Sequence, residues 1–192
     1  DPAEPKPTVV FGVRPCDAAG FDILNSVFSW DYKDSQFINR YKNTTIIGVS
    51  CAKADEYCFC TSVGGNPGDT KGSDILLTQI GSGDYLAEVI TDKGREIIAL
   101  APELFGTAPA DEKEKYLANV PVKFDLKALM EKLPSVFDNN ELWVEQSLRC
   151  LGCGACAFVC PACACYDIQD EAKREKGVRL RCWDSCGFSL FT

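Results

Sequence analysis

Between positions 149 and 167 the chain reads RCLGCGACAFVCPACACYD, and six cysteines, Cys150 to Cys165, fall within sixteen residues. Thiols this dense serve as disulfides, as zinc ligands, as a redox dithiol or as ligands of an iron-sulfur cluster, and each role implies a different protein. Composition narrows the choice. The 192 residues are 46% hydrophobic, enough for a sizeable core, and the twelve cysteines crowd into two places instead of spreading as a disulfide framework would. The chain contains no histidine, which excludes mixed Cys/His zinc sites, His-ligated haem and Ser-His-Asp or Cys-His catalysis by this chain alone.

Within that stretch Cys150, Cys153, Cys156 and Cys160-Pro161 form C-x2-C-x2-C-x3-C-P, the spacing with which bacterial-type ferredoxins ligate 4Fe-4S clusters. Three thiolates must reach one cubane from a single tight loop, and Gly152 and Gly154 let the backbone wrap it without Cβ clashes. The fourth cysteine of such a run usually serves a different cluster. Cys163, Cys165, Cys182 and Cys186 lie outside the motif. Counting ligands, we expect at most one well-formed cluster in the C-terminal portion, ligated by Cys150, Cys153 and Cys156 with Cys186 as the internal fourth; the other three are further ligands or thiols packed as small hydrophobes.

Upstream, TVVFGV at 8–13 predicts a strand, and from Asp17 the apolar residues Phe21, Leu24, Val27 and Phe28 take helical spacing. A helix around 35–41, a strand TTIIGVS at 44–50, and strands at 74–81 and 84–91 joined by Ser82-Gly83 follow. From Glu96 the pattern turns helical: EIIALAPELF, interrupted by Pro102, then DEKEKYLANV, FDLKALMEKLPSVF and ELWVEQSLRC. The fold class expected is α+β: a mixed α/β layer over 1–140, then a small ferredoxin-like iron-sulfur module over 141–192.

Cys16, Cys51, Cys58 and Cys60 all fall at strand ends or in one loop. Parallel strands gather their C-terminal ends on one edge, where ligands usually sit, so a separate four-thiolate site is expected there. The loop GGNPGDTKGS lacks G-x-x-x-x-G-K-[ST] and reads as turns, not as a phosphate cradle. The basic group Lys173, Arg174, Lys176, Arg179 and Arg181 reads as a solvated hairpin face, or as a charge offset for a cluster. A net charge of −8 argues against nucleic acid as a principal partner, and no apolar run is long enough to span a bilayer.

In order along the chain, FGVRPCDAAGFDIL, IIGVSCAKADEYCFCTSVGGNP, LRCLGCGACAFVCPACAC and RLRCWDSC resemble the iron-sulfur beta subunits of soluble NiFe hydrogenases and the related iron-sulfur subunit of anaerobic sulfite reductases. The resemblance implies a cytoplasmic electron-transfer subunit, not a catalyst on its own, that relays electrons between a flavin-containing subunit and a catalytic subunit. It implies two or three 4Fe-4S clusters in the full protein, one site on Cys16, Cys51, Cys58 and Cys60 and another on the ferredoxin motif. It also implies that this sequence is a piece of a longer protein, with a portion before it and a second ferredoxin run after it. The alternative from a different class is a zinc protein that uses four-cysteine sites for folding and partner binding. A chain that is itself a reductase finds no substrate chemistry in the sequence.

Overall fold

The computed structural model describes residues 4–81, 83–107 and 110–188. The chain divides into two compact units, Asp1–Met130 and Glu131–Thr192.

The first unit is a four-stranded sheet in the order β1 (Thr8–Val13), β2 (Thr44–Val49), β3 (Ile75–Ile80) and β4 (Asp84–Val89). β1, β2 and β3 run parallel and β4 pairs antiparallel with β3, so the sheet is mixed as expected. Parallel neighbours need a crossover, and α1 (Pro15–Ser29) and α2 (Ser35–Lys42) supply the one between β1 and β2. Pro15 stands at the start of α1, where its fixed φ suits the helix and its missing N–H is not needed. The helix therefore begins two residues before the expected Asp17, and Cys16 lies in its first turn. Asp34 caps α2 by accepting the N–H of Phe37 at 2.8 Å. Phe28 stacks on Phe37 and Phe21 on Tyr41, at 4.7 and 6.4 Å between ring centres, locking the two helices together.

The core sits on β2 and β3, where Ile46, Ile47, Ile75 and Leu76 are buried with Ala18 of α1. Asp74 ties the open end of this layer. Its carboxylate accepts the N–H of Ile46 at 2.7 Å and the Thr91 hydroxyl, with Lys93 at 3.6 Å, and so joins β2, the start of β3 and α3 (Asp92–Ile98). Ser82, expected in the β3–β4 turn, lies outside the described residues.

One helical expectation changes. DEKEKYLANV forms a 3-10 segment, Ala110–Tyr116, not an α-helix. Its residues follow the sheet instead of coiling on an apolar stripe: Lys113 Nζ donates to the Gly68 carbonyl at 2.6 Å and pairs with Glu88 at 2.7 Å. The next helix, α4 (Leu126–Val136), forms as expected, but Leu126, Leu129 and Leu133 are exposed. The division between the units falls within α4.

The second unit contains α5 (Asn140–Ser147), the short α6 (Ala155–Phe158) and an antiparallel hairpin of β5 (Tyr166–Lys173) and β6 (Lys176–Trp183). Of its described residues only Gly154, Ala157 and Ser185 are buried.

Candidate metal centres

In the first unit one cavity of about 560 Å³ is lined by Cys16, Cys51, Cys58 and Cys60 together. The parallel sheet sets the first two: Cys16 follows β1 through the Arg14-Pro15 turn, and Cys51 follows β2 on the adjacent strand. The peptide of Cys51 is fixed on both sides, its N–H donating to the Pro67 carbonyl at 2.9 Å and its carbonyl accepting the N–H of Ala118 at 2.7 Å.

The other two cysteines come from the loop after β2, which is held by a local device and a distant one. Asp55 accepts the backbone N–H groups of Tyr57 and Cys58 at 2.8 and 3.0 Å and the Cys58 thiol at 3.3 Å, making a small turn that presents Cys58. These N–H bonds, with the thiol, hold the Asp55 carboxyl below the usual carboxylate range. Gly65 then closes a 3-10 turn over Cys60 by donating to its carbonyl at 2.9 Å. Farther along, Gly72 adopts φ +78° against α1, where a Cβ would stand 2.1 Å from the Ala18 carbonyl oxygen. Only glycine fits that approach, and the approach brings the loop back to Cys16. The stretch read as turn-rich and phosphate-free is thus a wall of the cysteine cavity, contributing Gly64, Gly65, Asn66, Pro67, Asp69 and Lys71.

Burial, followed by the neighbouring Asp17 charge, pushes the Cys16 thiol up; burial and the Cys16 sulfur do the same for Cys51. The position of Cys16 in the first turn of α1 favours a thiolate, but here desolvation outweighs the helix end. A metal that replaces the thiol proton relieves this, which fits a ligand set and not an exposed reactive thiol. Four thiolates around a 4Fe-4S core leave an anionic assembly, and the cavity wall answers with Arg14, Lys53 and Lys71 against Asp55 and Asp69. The all-thiolate donor set suits an iron-sulfur cluster.

In the second unit, Cys150, Cys153, Cys156 and Cys160 are all exposed on the expected loop. Gly152 and Gly154 take φ +65° and +70°, which wraps the loop as the motif requires. A Cβ on Gly154 would meet the Phe188 ring at 2.7 Å, and one on Gly152 would stand 3.5 Å from the Gly187 carbonyl, so the turn carrying Cys186 lies against the ferredoxin loop. Ser185 is fully buried and its Oγ accepts the Gly187 N–H at 3.1 Å, shaping that turn. Two features escaped the sequence: the Asp55 turn, legible in hindsight as an acceptor three residues before a cysteine, and the hydrogen bond that Trp183 Nε1 donates to Cys163 Sγ at 3.3 Å, for which no local signal exists.

Residues 149–192 match the family described as a 4Fe-4S dicluster domain. Over 186 residues, 93% of the chain, the sequence is 33% identical to the sulfhydrogenase 2 subunit beta of Pyrococcus furiosus. Its C-terminal segment thus matches a 4Fe-4S domain, and the chain is similar to a hydrogenase beta subunit. It spans about half of that relative, 54% of its length. No solved structure matches. The 4Fe-4S assignment of this iron-sulfur chain therefore stands on its own motif and on a matching family, while the first-unit cavity stands on geometry.

Proposed function

We propose that this chain is an electron relay within an anaerobic oxidoreductase complex of hydrogenase or sulfite-reductase type, passing electrons between a flavin-containing subunit and a catalytic subunit. What carries the reading is the convergence of Cys16, Cys51, Cys58 and Cys60 on one cavity, in a chain that also bears a ferredoxin loop. Clusters supply the one-electron chemistry. The protein's residues supply thiolates, hold the loops and, through Arg14, Lys53 and Lys71, offset the charge of the first-unit site. No helix among the described residues is long and apolar enough to cross a membrane.

Anaerobic preparation of the chain should give a brown protein with iron and labile sulfide in equal amounts, and an EPR signal on reduction. Cys153→Ser should lose about four iron atoms, one cluster's worth, because an alcohol is a far poorer ligand than a thiolate for soft iron, while the first-unit signal persists. A colourless protein with stoichiometric zinc would replace the relay with the four-cysteine zinc alternative, and unchanged iron in Cys153→Ser would remove the ferredoxin assignment.

A further inference from the structure

The four cysteines of the first unit reach their cavity by two routes. Cys16 and Cys51 follow strands of the sheet, but Cys58 and Cys60 ride on a loop whose regular structure is the 3-10 turn Cys60–Val63. The Asp55 turn shapes this loop from within. From outside it is met by residues 117–124, a stretch that is neither helix nor strand and lies far along the chain. Such a stretch cannot satisfy its own backbone groups, so where its hydrogen bonds go shows what it holds.

They go to the cysteine loop. The Ala118 N–H donates to the Cys51 carbonyl at 2.7 Å. The Pro121 carbonyl accepts the Thr61 hydroxyl at 3.3 Å, and the Phe124 ring lies against Phe59 with ring centres 5.9 Å apart. Val120, between these anchors, is buried and lines the cavity. Lys123 closes the loop at both ends. Its N–H donates to Ser62 Oγ at 2.8 Å, two residues after Cys60, and its ammonium donates to the Glu56 carbonyl, two residues before Cys58. Ser62 is buried and Lys123 exposed, so one of these anchors is shielded from water and the other is open to it.

We propose that Lys123 is a positioning residue for the first-unit site: by bonding Glu56 and Ser62 at once it fixes the stretch that carries Cys58 and Cys60, and so sets where these two thiols are presented. Lys123 is not a wall of the cavity, as Arg14, Lys53 and Lys71 are, so its effect passes through the loop. A mobile loop would have to be ordered at the moment of metal binding, and a loop already closed avoids that cost. Cys16, held on α1, lies outside this grip. The role therefore implies a split among the four cysteines that a general loss of stability would not produce. It rests on the cluster reading above where metal is concerned, and on the loop geometry alone where thiol exposure is concerned.

The test uses the full chain in wild-type form and as Lys123→Met, Lys123→Arg and Ser62→Ala. Thiol labelling by iodoacetamide is followed site by site with mass spectrometry in the reduced, metal-free protein, and iron release to a chelator is followed in the anaerobically prepared protein. In Lys123→Met, Cys58 and Cys60 should be labelled about threefold faster, the opening that loss of one exposed hydrogen bond permits, while Cys16 keeps its wild-type rate. Lys123→Arg, which keeps a donor on a long side chain, should restore most of the wild-type protection. Ser62→Ala should speed the same two thiols, because it leaves the Lys123 N–H without its acceptor. In the iron-loaded chain Lys123→Met should release first-unit iron sooner, while the cluster that depends on Cys153 keeps its pace. Equal acceleration at all four thiols would make Lys123 a general stabiliser and overturn the positioning role, as would wild-type labelling in Lys123→Met and Ser62→Ala alike. Should Ser62→Ala fail to fold, the contrast between Lys123→Met and Lys123→Arg decides the point. A wild-type chain that takes up no iron in the first unit overturns the cluster reading there and leaves the labelling contrast to decide the role of Lys123.

Discussion

In the first unit the cysteines hang from a packed sheet: Ile46, Ile75 and Leu76 are almost wholly buried, and Cys16 and Cys51 follow directly from strands of that core. In the second unit every residue of strand β5 (Tyr166–Lys173) is exposed, and only Gly154, Ala157 and Ser185 are buried among the described residues. A two-stranded hairpin by itself is marginally stable in water. The first unit can therefore fix its thiols before any metal arrives, whereas the second needs its metal to complete the fold. On the reading proposed above, metal binding would be folding free energy in the second and mainly site occupancy in the first.

The largest effect should come from removing iron. Anaerobic chelation should make the stretch between Tyr166 and Cys186 sensitive to protease by at least about tenfold, since losing about 1.4 kcal/mol of local stability already does this, while cleavage of the sheet stays slow. Equal resistance with and without iron would erase the distinction between the units. A middling effect is expected at the junction of core and site. Gly72→Ala should destabilise the first unit by about 3 to 5 kcal/mol in chemical denaturation, through left-handed strain and the overlap with Ala18, and should also deplete its cluster. Full stability in that variant would mean that the loop is not pinned where the geometry has it. The smallest effect belongs to Arg179→Ala. Arg179 bonds Asp170 twice at 2.7 Å, but the pair is solvent-exposed, so hairpin cleavage should stay within about a factor of two of wild type. The Arg179 bond holds the Asp170 carboxyl below its usual range, so what the pair contributes is present above about pH 3.9 and lost as pH falls through the folded value. Measuring cleavage on both sides of that range checks the sign.

The two sites were also unequally legible in the sequence. The ferredoxin loop was legible because all its requirements are local: four cysteines, two glycines and a proline at fixed offsets. The first-unit set could be read only as strand ends gathered on one edge, because its closure depends on contacts far apart in sequence, such as Gly72 against Ala18. Strands β1 to β4 were legible from β-branched runs and turn residues to within a residue at most ends, since short apolar stretches bounded by turn residues read as strands. The 3-10 segment Ala110–Tyr116 was not, because the bonds of Lys113 to Gly68 and Glu88 override its helical composition. The exposed leucines of α4 show the limit of periodicity: it gives a face, but not what covers it.

Cys51, clamped through its own peptide to Pro67 and Ala118, has a further meaning for the relay proposed above. When an iron centre gains or loses an electron its bonds to sulfur change length, and a mobile ligand would follow, so that each transfer waits on movement of the surroundings. A ligand whose backbone is bonded to two separate segments cannot follow far. The site would change charge with little rearrangement around it, and the barrier to each electron hop would be set by distance more than by the protein's need to relax.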